Sequence, residues 1–169
     1  PVFIYLNRGA EPEALWTDAK RRAKAEQAAW PYAWLDEPGA RRRGRVTGRA
    51  VMADGSPAAG GYVVLSNPNE PADPGRLHVW MRNIGPYQYW TEVAADGSFR
   101  VDDVRAGTYR VYLFRPGVYG ETDGGPVDVA ADAELDVGRL TLVPVRKGDR
   151  VWQLGVPNGG AMEFRNGNG

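Results

Sequence analysis

The chain has 169 residues, 43% of them hydrophobic, and its 21 basic and 21 acidic side chains cancel to a formal net charge of zero. That length supports one domain with a sizeable core, or one domain plus pieces of others. The charge balance argues against a broad electrostatic footprint for nucleic acid or an anionic membrane, the lack of cysteine excludes disulfides and thiolate metal sites, and no apolar run reaches the length of a membrane span.

Residues 2–6 (VFIYL) form a short apolar run of strand type, and the next strand-like segment is far away, so either it joins the later sheet or, the favoured reading, its own sheet is expected to lie outside residues 1–169. Residues 12–30 read as an amphipathic helix. Pro12 suits the first turn, where no intrahelical N–H bond is lost. Glu11 and Glu13 lie at the positive end of the helix dipole, and Lys20, Arg21, Arg22 and Lys24 come later. Leu15, Trp16, Ala19, Ala23 and Trp30 trace an apolar stripe, and the basic cluster reads as the solvated face rather than a polyanion site. Pro31 ends the helix. Residues 31–43 are a linker by composition. The aromatics Trp30, Tyr32 and Trp34 are expected to pack at a domain junction, with a carbohydrate-stacking platform as the sharper alternative.

From Gly44 the pattern changes to short strands. Residues 45–53 (RVTGRAVMA) and 61–66 (GYVVLS) are strands on either side of the turn Asp54-Gly55-Ser56-Pro57. A Pro/Asn/Asp-rich surface loop at 67–75 and a short edge segment at 77–82 (LHVWMR) follow. Residues 87–117 read as three antiparallel strands, 87–94, 98–101 and 108–114. The first two are joined by Asp96-Gly97, where Gly accepts positive φ and Asp tolerates it. Residues 102–106 connect the second to the third, and Pro116-Gly117 ends the series because Pro has no N–H for the ladder. Tyr109, Val111 and Leu113 share the expected core face. Arg110, Tyr112 and Phe114 share the other, which mixes charge with aromatic area and suits a neighbouring domain. Residues 119–125 read as a loop, 127–130 as a short strand and 135–143 as the final strand. About seven or eight short strands without intervening helices indicate a mostly β protein, an antiparallel β-sandwich preceded by one helix. After a second linker at 144–148, residues 150–156 (RVWQLGV) read as one more strand at the entry of another module.

Residues that usually carry catalysis are scarce. His78 is the single histidine and reads as structural or solvent-facing. Ser56, Ser66 and Ser98 lie in hairpin turns or strand ends, without the exposed sharp turn and partner histidine that a nucleophilic serine needs. A zinc site lacks ligands. The carboxylates Asp54, Asp96, Asp102, Asp103, Asp123 and Asp132 fall in turns, the commonest place for Asp. A calcium site on Asp102 and Asp103, or around residues 121–123, is the alternative use. Gly60-Gly61 and Gly124-Gly125 precede no helix and are not phosphate loops. No cofactor or metal is expected, and no catalytic residue is assigned. The richer signal is aromatic, with six Trp, eight Tyr and four Phe. Strand alternation places Tyr87 and Tyr89 on one face and Trp90 on the other. Trp80, Tyr87, Tyr89, Trp90 and Tyr119 are the candidates for stacking on sugar rings, against the plainer reading of core or domain packing.

The segments GRVTGRAV, GYVVLSNPN, YQYWTEVAADGSFRVDDVRAGTYRVYLFRPGVYGE and LDVGRLTLVPVRKGDRVWQLGVPNGGAMEF, in this order, resemble the C-terminal half of polysaccharide lyase family 4, the rhamnogalacturonan endolyases. The opening PVFIYLNRG, the LW-x-DAK helix and WPY are similar to the end of that family's catalytic domain, so the resemblance covers essentially the whole chain. DGSF and AGTY are shared with transthyretin-like and carboxypeptidase-regulatory-like modules, whereas YQYW and the late G-D-x-x-W-x-x-G-x-P…EF are more specific. The resemblance implies three parts. Residues 1–35 would be the tail of the catalytic β-sandwich, 36–145 a fibronectin-III-like or transthyretin-like sandwich, and 146–169 the start of a carbohydrate-binding jelly roll. It further implies a secreted parent that cleaves the pectic polysaccharide rhamnogalacturonan I by β-elimination. This chain would then be a monomeric, non-catalytic spacer packed against flanking domains, with neither nucleic acid nor membrane as partner. The family's catalytic Lys and His would precede Pro1; Lys20, Lys24, Lys147 and His78 do not match their motifs. Asn158 and Gly159 replace the acid and Arg usual after the G-x-P proline, so no role is carried to them. A stand-alone carbohydrate-binding or transthyretin-like interaction module is the alternative.

Overall fold

The computed structural model describes residues 4–32, 34–37, 39–66, 87–145 and 148–156. The surface loop at 67–75, the edge segment at 77–82 with His78 and Trp80, and the turn at 157–160 lie outside the described residues. The chain divides into two units, Pro1–Arg41 and Arg42–Gly169.

The first unit is built on α1, Pro12–Ala29, which has proline at its start and Glu13 in its first turn. The chain leaves it through Trp30 in extended conformation. No residue of α1 is buried, and Trp16 of the expected apolar stripe is 61% exposed. The strand expected at 2–6 does not form over its described part, residues 4–6. With no neighbouring strand among the described residues to supply a ladder, this segment is tied to the helix by side chains. The Tyr5 hydroxyl donates to Asp18 at 2.5 Å, and the Asn7 amide donates to the Leu15 carbonyl at 2.7 Å. After the helix, the Tyr32 ring meets Trp30 edge-on at 5.3 Å and stacks on Trp34 at 5.1 Å.

The second unit is a β-sandwich of β1 (Arg43–Met52), β2 (Tyr62–Ser66), β3 (Gln88–Glu92), β4 (Ser98–Arg105), β5 (Gly107–Phe114), β6 (Glu121–Val129) and β7 (Glu134–Leu142). One sheet has the order β4-β1-β7 and the other β3-β2-β5-β6. The second sheet is antiparallel throughout. In the first, β1 is antiparallel to β4 but parallel to β7. The expected all-antiparallel pattern therefore fails at this one pair. Strands β1 and β7 are far apart in sequence, with the other sheet built between them, so no hairpin constrains their relative direction.

Strand alternation delivers one apolar face of each sheet to a common core. Val46, Ala50, Phe99, Val101, Leu140 and Leu142 come from one side, and Val63, Leu65, Tyr109, Val111 and Leu113 from the other. The expected core face of β5 is confirmed, since Tyr109, Val111 and Leu113 are all buried. Two D-G-S turns of the same local chemistry reverse the chain, one after β1 and one between β3 and β4; the expected antiparallel series 87–94, 98–101 and 108–114 is not one ladder, because β4 lies in the other sheet from β3 and β5. Asp54 accepts from the Ser56 N–H at 2.9 Å and its hydroxyl at 2.6 Å, and Asp96 accepts from Ser98 at the same two distances.

Three expectations are corrected. Residues 102–105 are not a connection but the second half of β4, which accommodates a residue of positive φ, Asp103 at 56°, without ending. The loop read at 119–125 is largely strand, because β6 begins at Glu121. It lies at the sheet edge, where Pro126 removes no interior ladder bond. Residues 150–156 form no strand, and Val151 and Trp152 are 91% and 75% exposed.

Candidate functional site

The five aromatic candidates separate into different places. Tyr87 and Tyr89 point toward the core at its margin, where they pack against the main apolar cluster. Their rings are nearly parallel with centroids 6.4 Å apart, and Tyr89 meets Tyr109 edge-on at 5.7 Å. These rings surround the point where the chain passes from β4 in one sheet to β5 in the other. The Arg105 N–H donates to the Tyr89 hydroxyl at 3.1 Å, and the Tyr109 hydroxyl donates to the Arg105 carbonyl at 2.8 Å. The Arg105 guanidinium donates to the Tyr87 hydroxyl and lies 5.0 Å from the Tyr87 ring centroid. Arg43 reaches Tyr89 at 3.4 Å. The tyrosine hydroxyls thus satisfy the backbone at the last residue of β4, where the chain turns from one ladder to the other, which is the logic of a tyrosine corner in a β-sandwich. Burial pushes the Tyr109 hydroxyl well above the ordinary tyrosine range, with the neighbouring Tyr89 adding to it.

Trp90 faces the other way, as alternation predicts. On the outer face of the four-stranded sheet its ring meets Tyr62 at 6.4 Å and Phe114 at 5.8 Å, and Tyr62 stacks on Phe114 at 5.5 Å. The register places Val64 between Trp90 and Tyr112. Val64, Tyr112 and Phe114 are buried, whereas Trp90 is 48% exposed and its indole N–H donates to Gln88 at 3.0 Å. Beside the rings, Arg110 grips both oxygens of Asp123 at 2.8 and 2.7 Å. Burial, together with the nearby Asp123 charge, pushes the Tyr112 hydroxyl up to about 12. This face combines an accessible indole with a flanking polar pair, the combination a sugar ring uses when it stacks and hydrogen-bonds together. The sequence pointed to Trp90 but not to Tyr62, whose part depends on cross-strand register.

Tyr119 lies apart from both groups, 45% exposed before β6, where its carbonyl accepts from the Val145 N–H at 2.8 Å. Trp80 lies outside the described residues. Of the carboxylates considered for calcium, Asp102 and Asp123 have protein partners. Asp102 pairs with Arg45 at 2.5 Å and Arg100 at 2.7 Å. Burial alone would raise its carboxyl, but the two guanidinium groups prevail and hold it below the usual range. Among the described residues no three carboxylates or histidines converge as metal ligands.

Comparison with known proteins gives this geometry a family. A profile described as polysaccharide lyase family 4, domain II, matches residues 42–137, more than half of the chain and almost the whole sandwich. The "Rhamnogalacturonate lyase" of Dickeya dadantii is 31% identical over 170 aligned residues, which cover 99% of this chain and 27% of that protein. The "Probable rhamnogalacturonate lyase B" of Aspergillus niger is 34% identical over 85 residues, 50% of this chain and 12% of that protein. The chain thus spans about a quarter or less of the length of these relatives. A solved cohesin–X–dockerin complex from Acetivibrio cellulolyticus is only loosely similar, with a TM-score of 0.37 and 22% identity over 54% of this chain and 51% of that one. The match to domain II, with the near-complete alignment to a bacterial relative, places this chain in polysaccharide lyase family 4.

Proposed function

We propose that the chain is the non-catalytic middle portion of a secreted enzyme that degrades rhamnogalacturonan I by β-elimination. In this reading residues 1–35 end the catalytic domain, 36–145 form the spacer sandwich and 146–169 enter a carbohydrate-binding domain. The observation that carries the proposal is the colinear alignment of 99% of the chain with a contiguous part of a rhamnogalacturonate lyase. The sandwich suits a spacer physically. It has its own buried core, and the bend between its sheets is pinned by Tyr89 and Tyr109. It therefore holds its two ends at a fixed separation, as a flexible linker does not. A pectic substrate and an extracellular location follow from the parent enzyme. No helix among the described residues is long and apolar enough to cross a membrane. The test is a graft. Residues 42–145 should replace the corresponding segment of the Dickeya dadantii enzyme with retention of most lyase activity, and a Gly/Ser linker of equal length should not. Equal activity of the two chimaeras would overturn the spacer role.

A second reading, carbohydrate binding by the sandwich itself, is favoured by Trp90 beside Tyr62 on the outer face. Trp90→Ala should abolish any ligand-induced change in tryptophan fluorescence with pectic oligosaccharides. No change in the parent chain at millimolar ligand would remove this reading.

A further inference from the structure

The outer face of the sheet β4-β1-β7 carries an arginine arrangement that the fold alone does not account for. Toward one end its arginines are matched. Arg45 pairs with Asp102 and Glu134, and Arg100 pairs with Asp102. Further along, the parallel register sets Arg49 directly opposite Arg139. Both are exposed, and neither has a carboxylate within ion-pair distance among the described residues. Arg49 donates to the Asp96 backbone carbonyl at 2.6 Å. Its charge also reaches the Asp96 carboxyl, which is engaged by Ser98. Like charges directly opposite each other on neighbouring strands destabilise a sheet.

The two arginines flank a shallow groove of about 320 Å³, lined also by Thr47, Gly48, Asp136 and Gly138, within the size of small-ligand sites, about 300–1,000 Å³. Its floor is made by a register shift between Thr47 and Arg49. Gly138 sits there at φ 71°, held by a hydrogen bond from its N–H to Asp136 at 2.8 Å. A Cβ on Gly48 would lie 2.7 Å from the core Phe99 ring and 2.8 Å from the Gly138 carbonyl, so β1 and β7 approach closely beneath the groove only because this position is glycine. The second oxygen of Asp136 has no hydrogen bond among the described residues.

We propose that this groove binds one uronosyl ring of an acidic polysaccharide, with the sugar carboxylate between Arg49 and Arg139 and a ring hydroxyl on Asp136. Guanidinium groups suit a planar carboxylate because they offer paired N–H donors. The choice of a pectic uronate as ligand rests on the lyase reading above; the carboxylate site itself rests on the arginine pair and the groove. The site would give the spacer a hold on the polymer as it passes between the flanking domains.

The test is titration of the nitrogen-15-labelled chain with galacturonate trisaccharide, its methyl ester and a guluronate trisaccharide, following the amide signals of Gly48 and Gly138. The galacturonate should shift both, and the shifts should weaken with salt. Arg139→Gln, an exposed change that relieves the like-charge pair and should leave the melting temperature equal or higher, should lower affinity by about tenfold or more. The methyl ester should bind as weakly as this variant. Shifts with guluronate but not galacturonate would uphold the carboxylate site and remove the pectic reading. No shift of these glycines with any free uronate, or equal shifts in Arg139→Gln, would overturn the site and leave the lyase reading to the graft experiment.

Discussion

The Tyr109 hydroxyl holds the carbonyl of Arg105, four residues earlier, while the Arg105 N–H is held by Tyr89. The backbone N–H and carbonyl of one residue at the crossing between the sheets are thereby both satisfied by tyrosine hydroxyls. Tyr109→Phe keeps the ring and removes the buried donor, and should destabilise the fold by about 1–2 kcal/mol. Urea denaturation with an unchanged slope would measure this; a loss below a few tenths would mean that the corner is incidental.

Alkaline pH should act through the same residue and through Tyr112. Both hydroxyls are raised above the ordinary tyrosine value, Tyr112 to about 12. Unfolded tyrosines ionise near pH 10 while these remain protonated in the folded state. Their contribution is therefore complete below about pH 10 and is lost as pH rises toward the folded values. Tyr112→Phe should flatten the fall of melting temperature between about pH 10 and 12. An identical slope in the variant would contradict the assignment.

At the acid end, the two D-G-S turns should respond with the opposite sign. Ser98 donates its hydroxyl and N–H to Asp96, which lowers that carboxyl, and Ser56 does the same for Asp54. A lowered folded value contributes stability above the unfolded value, near pH 4, and loses it as pH falls through the folded value. The double change Asp54→Ala with Asp96→Ala should lower the melting temperature at neutral pH and reduce its decline below about pH 4. Thermal melts across that range would decide it.

Gly48 faces the Phe99 ring and the Gly138 carbonyl at distances too short for a methyl group. Gly48→Ala should cost about 1–3 kcal/mol through overpacking, whereas Gly55→Ala, with no atom within 4 Å, meets no such clash and carries only the strain of its positive φ. Equal stability of Gly48→Ala and the parent chain would contradict the close packing.

Much of the sandwich was legible because its information is local. Alternation in β5 identified Tyr109, Val111 and Leu113 as core, and Asp96-Gly97 announced its own turn. What escaped depended on neighbours. β6 looked like a loop because Gly124-Gly125-Pro126 reads as a breaker. In the fold Gly125 takes φ 86° at a bulge opposite Val111, and an edge strand accommodates that. β4 looked finished at Val101 because Asp102-Asp103 resembles a turn, yet Asp102 is held in the strand face by Arg45 and Arg100. The parallel pairing of β1 with β7, and with it the meeting of Arg49 and Arg139, arises from register between distant segments and leaves no mark in either. Of the candidate aromatics, the alternation that separated Trp90 from Tyr87 and Tyr89 was readable, but their partners, Tyr62 for one and Arg105 for the others, were set by tertiary structure.

The central proposal is that this chain is part of a pectin-cleaving enzyme without carrying its chemistry. Incubation of the purified chain with rhamnogalacturonan I, following the absorbance of the unsaturated uronate product, tests it most directly. The account predicts no product with the chain alone and product when the Dickeya dadantii relative is added as control. Turnover by the chain alone would place the chemistry within these residues and contradict the account.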